Sequence, residues 1–69
     1  MTLAKAIIHA RKRILATNRE EGRYIIWEAE EQDWPGDHYH TATEVDLDTF
    51  YSGAPVIGYV DTELEYQGS

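Results

Sequence analysis

The first residues of the chain repeat apolar side chains at the spacing of an α-helix, and the residues that follow carry strand patterns instead. Thr2 is a suitable N-cap for a helix that begins at Leu3. At about 100° per residue the apolar side chains of this helix gather on one broad face. They are Leu3, Ala4, Ile7, Ile8, Ala10, Ile14 and Leu15. Asn18 or Gly22 can end the helix, and its apolar face then needs a sheet to cover.

Two strands are predicted next, over residues 23–31 and 38–45. The first begins with a run of aromatic and β-branched residues, and Ile25, Trp27 and Ala29 share one of its faces. Pro35 and Gly36 between the strands are typical of a type II turn, because proline presets φ and glycine accepts a positive φ. The two strands therefore form a hairpin with a loop of several residues.

The last part of the chain predicts a short helix and a third strand. Residues 46–53 read as a helical turn that Asp46 or Asp48 caps and Gly53 ends. Residues 55–60 form the strand, in which Gly58 indicates a bulge or a close approach by another element. Residues 62–67 extend this strand or form another.

These elements predict one α+β domain over residues 1–69. Its order is α-β-β-(short α)-β, with the N-terminal amphipathic helix packed on a small antiparallel sheet of three to four strands. A chain of 69 residues has a small core, and without cysteine it has neither a disulfide nor a cysteine zinc site to support that core. No apolar run suits a signal peptide or a membrane span, so we expect a soluble cytoplasmic protein.

Basic and acidic residues are separated along the chain. Residues 1–19 contain five bases and no acid, whereas residues 24–69 contain eleven acids and neither Lys nor Arg. The formal net charge is −7. Such asymmetry bears on partners and solubility more than on fold.

Arg11 is the exception among the bases, because its helical angle places it inside the apolar stripe. Its aliphatic stem can follow the edge of the stripe while the guanidinium reaches water. Alternatively, it pairs with an acid of the sheet and helps to fix how the helix docks.

Catalytic motifs are absent from the sequence. There is no cysteine, Ser52 and Ser69 have no nucleophile-elbow context, and no glycine-rich phosphate loop occurs. We therefore predict a protein that is not an enzyme, with no catalytic residues, no cofactor and no assigned metal.

The strongest alternative is a small metal-binding or hydrolytic domain. His38 and His40 point the same way on a strand, and Glu28 or Glu30 could lie across from them. Two imidazoles and a carboxylate suit zinc or iron. A histidine pair that is solvated or paired with carboxylates explains the same residues.

The basic helix has two other uses. It could bind nucleic acid through phosphate contacts, although the acids elsewhere on a small body would repel a polyanion. It could also screen the acidic sheet of its own chain, or bind that of a second copy in a homodimer.

The acids and aromatic side chains interleaved after residue 23 carry the functional prediction. On a rigid scaffold they would present a negative surface with aromatic anchors to a basic, nucleic-acid-binding site on another protein. The predicted function is thus a non-catalytic inhibitor or adaptor, with direct contact neither to nucleic acid nor to a membrane. The predicted partner-binding residues are Glu28, Glu30, Glu31, Asp33, Trp34 and Asp37, with Trp34 as the apolar anchor. In size and charge alone the chain resembles small acidic phage-encoded proteins that inhibit a host enzyme.

Overall fold

A computed structural model of the chain describes residues 2–27 and 38–68. The chain forms the helix α1 (Leu3–Ala16), the strands β1 (Arg23–Trp27) and β2 (Tyr39–Ala42), and the short helix α2 (Glu44–Thr49). The strands β3 (Val56–Val60) and β4 (Tyr66–Gly68) follow. The predicted α+β class and element order are confirmed, and residues 66–68 form a separate fourth strand.

Both ends of α1 are set by local side-chain and backbone chemistry. Thr2 accepts a hydrogen bond on Oγ1 from the backbone N–H of Lys5 at 3.2 Å, which confirms the predicted N-cap. At the other end Asn18 adopts a φ of 56°. The backbone N–H groups of Asn18 and Arg19 then bond to the carbonyls of Leu15 and Ile14, which is a Schellman motif. Asn18, and not Gly22, therefore ends the helix.

The sheet has the strand order β2-β1-β3-β4, and all neighbouring strands are antiparallel. Cross-strand pairs join Trp27 to Tyr39 at one end of β1 and Arg23 to Val60 at the other. On β3 one extra residue, Ile57, lies between the partners of Ile25 and Ile26, so the predicted bulge beside Gly58 is confirmed.

One face of the sheet packs against α1. The fully buried cluster joins Ala6, Ala10 and Ile14 of the helix to Ile25 and Val60 of the sheet. The two alanines let the helix backbone approach the strands closely, and each buried isoleucine or valine contributes about 1.5–3 kcal/mol.

The predicted apolar face of α1 is wrong at one edge. Ala4 is exposed, and Ile8 and Leu15 are 51% and 50% exposed, whereas Ala6 is fully buried. The helix is rotated so that the row of Ala6, Ala10 and Ile14 faces the strands, and the row of Ala4, Ile8 and Leu15 faces solvent. Close packing against the sheet decides which edge of the apolar stripe is buried and which is exposed.

The connection from β2 to β3 crosses the opposite face of the sheet. These two strands are both antiparallel to β1, which lies between them. The ring of Tyr51 stacks on His40, with centroids 6.1 Å apart. His40 pairs with Ile26, whose side chain points away from the α1 side because successive residues of a strand alternate. Residues 43–55 therefore help to cover the second face.

The second helix begins earlier than predicted. Thr43 is the N-cap, since its Oγ1 accepts from the backbone N–H of Asp46 at 3.1 Å. In return the Asp46 carboxylate accepts from the backbone N–H of Thr43 at 3.2 Å, which completes a capping box. The predicted caps Asp46 and Asp48 are thus residues of the helix itself, and the second strand stops short of residue 45. Gly53 lies four residues beyond the end of α2, at a φ of 85°.

Among the residues described, no helix reaches the length and apolar content that crossing a bilayer requires.

Candidate functional site

A groove of about 440 Å³ opens at the end of the sheet where β1 finishes and β3 begins. Its lining consists of Trp27 and the whole connection from α2 to β3: Phe50, Tyr51, Ser52, Gly53, Ala54 and Pro55. The groove therefore forms from two segments that the pairing of β1 with β3 brings together.

Backbone hydrogen bonds fix both sides of the groove. The N–H of Trp27 donates to the carbonyl of Pro55 at 3.1 Å, which closes the groove at the end of the two central strands. The N–H of Ala54 donates to the carbonyl of Tyr51 at 2.9 Å. Gly53, at the third position of this turn, has the positive φ that a type II turn requires. The lining is therefore held in shape by the backbone of the free protein.

Large apolar side chains remain exposed around this groove. Phe50 is 74% exposed and Trp27 is 40% exposed, and Val56 beside them is 50% exposed. Isolated exposed apolar residues are ordinary on proteins, but several around one groove are typical of an interaction surface.

An acidic side chain accompanies this surface, since Asp48 is exposed on α2 and precedes Phe50 by two residues. Glu44 is also exposed, but it begins α2 two residues after Ala42, whose partner Tyr24 lies toward the other end of β1. The carboxylate of Asp46 is held in the capping box and serves the helix.

The other described acids lie at the far end of the sheet. Asp61 accepts hydrogen bonds from the backbone N–H groups of Glu63 and Glu65 at 2.9 and 3.0 Å, and from Nε2 of Gln67 at 2.9 Å. Asp61 therefore shapes the turn between β3 and β4, whereas Glu63 and Glu65 are exposed. The described acids thus occupy both ends of the sheet.

The basic helix does not neutralise the acids of α2 or of the β3–β4 turn. Within residues 2–27 and 38–68, the salt bridge found is that of Arg23 with Glu21, at 3.2 Å. Arg11 donates from Nε to the backbone carbonyl of Leu64 at 3.0 Å, so its partner is a carbonyl and not the acid predicted as one alternative. Lys5, Lys12 and Arg13 are exposed.

The predicted partner-binding residues Glu28, Glu30, Glu31, Asp33, Trp34 and Asp37 lie outside the described residues. Their flanking residues Trp27 and Tyr39 are cross-strand partners at the same end of the sheet as the groove. The stretch 28–37, with five acids among its ten residues, is thus joined to the sheet at that end.

The predicted metal site of His38 and His40 with Glu28 or Glu30 stays a prediction, because both carboxylates lie in residues 28–37, outside the described residues. Within the described part of the chain, no group of three or more His, Asp or Glu side chains could hold a metal ion. The same part of the chain places the ring of His40 against Tyr51.

The sequence predicts no functional role for Phe50, and it predicts Trp27 and Val56 only as strand residues. The sequence does indicate that Phe50 is exposed. This large apolar side chain comes shortly before the turn residues Ser52 and Gly53, where no strand or long helix would bury it.

Comparisons with protein-family models, with curated proteins and with solved structures found no match to this chain.

Proposed function

We propose that the chain is a non-catalytic binding module that docks on a basic surface of a protein partner. The observation that carries this proposal is the combination at the groove: Trp27, Phe50 and Val56 are exposed, and the exposed acid Asp48 precedes Phe50 by two residues. No Lys or Arg occurs after residue 23 to balance this acid.

The two kinds of side chain have separate roles in such a complex. Aromatic side chains in the centre of an interface provide most of the binding energy, because they bury large areas at small entropic cost. Carboxylates at the rim attract a basic partner and orient it, and they contribute more to the association rate than to affinity. Phe50 and Trp27 therefore act as anchors, and Asp48 as a steering group.

The acidic stretch 28–37 extends the same interface in this proposal. It contains Glu28, Glu30, Glu31, Asp33, Trp34 and Asp37, the residues singled out from the sequence, and it joins the sheet at Trp27. Carboxylates in the place of phosphates would let the module occupy a nucleic-acid-binding site. The module then acts as an inhibitor or adaptor that excludes nucleic acid from its partner.

A charge-matched pair of variants tests the proposal. The immobilised full chain captures its partner from a host extract at low salt, and the bound protein is identified as it elutes on raising the salt. Asp48→Asn should lower the eluting salt concentration, because this acid lies two residues before Phe50 of the groove. Glu63→Gln makes the same change in net charge at the far end of the sheet and should leave elution unchanged.

The captured protein must also be basic at its contact surface and lose nucleic acid when the module binds. Equal effects of both variants would show that net charge alone matters, and the groove would then have no special part. A complex whose affinity is the same at low and high salt would contradict the proposal outright, because opposite exposed charges are screened within about 8 Å at physiological ionic strength.

A further inference from the structure

We propose that the groove binds one cationic side chain of the partner, an arginine in preference to a lysine, against the ring of Trp27. This inference rests on the proposed function and names what the groove recognises. Of the seven described residues that line the groove, three are aromatic, namely Trp27, Phe50 and Tyr51.

The backbone of the groove and the ring of Tyr51 are held in place before any ligand arrives. The backbone of Trp27 is bonded to Pro55. Tyr51 is held twice, since its N–H donates to the carbonyl of Asp46 at 3.2 Å and its ring stacks on His40 with an interplanar angle of 24°. A site whose parts are already ordered loses little entropy on binding.

Arginine fits such a lining better than the alternatives. The face of an aromatic ring is negative and attracts a cation, most strongly in tryptophan. A guanidinium is planar and weakly hydrated, so it stacks on a ring at a smaller desolvation cost than an ammonium group. The aliphatic stem of arginine can meanwhile cover apolar lining such as Pro55 and Ala54.

The charge around the groove excludes the opposite kind of ligand. Asp48 is exposed two residues before Phe50, and no Lys or Arg lines the groove. A phosphate or carboxylate group would therefore meet repulsion and no cationic donor there. The volume of about 440 Å³ leaves room for one long side chain and part of the backbone that carries it.

The test uses the full chain, labelled with ¹⁵N, and four small probes. They are the N-acetyl methylamides of arginine, lysine, citrulline and norleucine, of which citrulline is a neutral analogue of arginine in shape. The arginine probe should shift the indole N–H signal of Trp27 and the amide signals of residues 50–54. The lysine probe should cause smaller shifts of the same signals. Citrulline and norleucine should leave these signals in place. The indole signal of Trp27 is assigned by its loss in Trp27→Phe.

Variants then separate recognition by the ring from a change in structure. Trp27→Leu keeps an apolar side chain but removes the ring, and it should weaken arginine binding about fivefold or more. Trp27→Phe should retain most of the binding, and Leu15→Ala, on α1, should retain all of it. Preserved dispersion of the amide spectrum confirms that each variant is folded.

Equal shifts with citrulline and arginine would overturn the inference, as would unchanged binding in Trp27→Leu. Neither result would touch the proposed function, which fails only if no salt-sensitive complex with a basic partner forms. Conversely, a salt-sensitive complex that Trp27→Leu leaves intact would retain the binding module and discard the arginine site.

Discussion

The guanidinium of Arg11 donates a hydrogen bond from Nε to the backbone carbonyl of Leu64 at 3.0 Å, and so ties α1 to the turn between β3 and β4. The two residues are 53 positions apart in sequence. Leu64 itself packs partly against the core cluster and has a φ of 71°. The bond therefore helps to fix the helix on the sheet.

Replacing Arg11 by methionine tests this tie. Methionine keeps the apolar stem but cannot donate, so the free energy of unfolding should fall by about 0.5–1.5 kcal/mol. Urea unfolding followed by circular dichroism measures the loss. Lys12→Met is the matched control on the same helix, because the exposed Lys12 makes no side-chain hydrogen bond to the described residues. Equal losses in the two variants would show that helix propensity or net charge, and not the bond to Leu64, is responsible.

The elements that local chemistry determines could be predicted from the sequence. Thr2 and Asn18 delimit α1 because a cap needs only a few neighbouring residues, and Gly58 marks the bulge because no side chain fits there. The start of α2 was missed because both Thr43 and Asp46 are good caps, and reciprocal bonding between them decides the position.

Features that depend on packing between distant segments could not be predicted in the same way. Ile8 and Ala6 lie at opposite edges of the apolar stripe, and only the fit to the strands buries Ala6 and exposes Ile8. The groove likewise requires Trp27 and Pro55 to meet, which follows from the register of β1 with β3. The pattern of neighbouring residues in the sequence does not predict that register.

The end of α1 stores backbone strain that a glycine would remove. Arg19 is exposed and has a φ of 58°, a conformation that costs a side chain about 1–2 kcal/mol. Arg19→Gly relieves this cost but increases the entropy of the unfolded chain, so we expect a net gain in unfolding free energy of about 0.5 kcal/mol. Arg13→Gly, inside the helix, makes the same change of composition and should lose about 1 kcal/mol. Urea unfolding midpoints, compared at the same denaturant dependence of the unfolding free energy, distinguish the two variants. A loss of stability in both variants would contradict the strain proposed at Arg19.

The hydroxyl of Tyr66 is buried without a hydrogen-bond partner among the described residues. Its ring lies over Gly58, where an added Cβ would come within 2.5 Å of Cε1 and Oη. A buried hydroxyl that makes no hydrogen bond costs about 1–3 kcal/mol, so Tyr66→Phe should raise the unfolding free energy by about 1 kcal/mol.

Gly58→Ala provides the complementary change. The new methyl group would collide with the ring of Tyr66, so this variant should be destabilised by at least about 1 kcal/mol. Thermal unfolding measures both variants. If Tyr66→Phe is destabilised, the hydroxyl of Tyr66 makes a hydrogen bond. If Gly58→Ala keeps the stability of the wild type, the ring of Tyr66 does not lie over Gly58.

Variants at Phe50 and Val45 distinguish an effect on binding from an effect on stability. The two side chains are almost equally exposed, but of the two only Phe50 lines the groove. Their exposed fractions are 74% and 71%. Serine at either position should change the unfolding free energy by no more than about 0.5 kcal/mol, as is usual for exposed sites, and the backbone N–H of Phe50 keeps its bond to Asp46. Phe50→Ser should nevertheless weaken capture of the basic partner about tenfold or more, since loss of an anchor side chain costs about 2 kcal/mol. Val45→Ser should bind as wild type does. If Phe50→Ser binds normally while remaining folded, the groove is not the docking site, and the acids of residues 28–37 would have to carry the interaction alone.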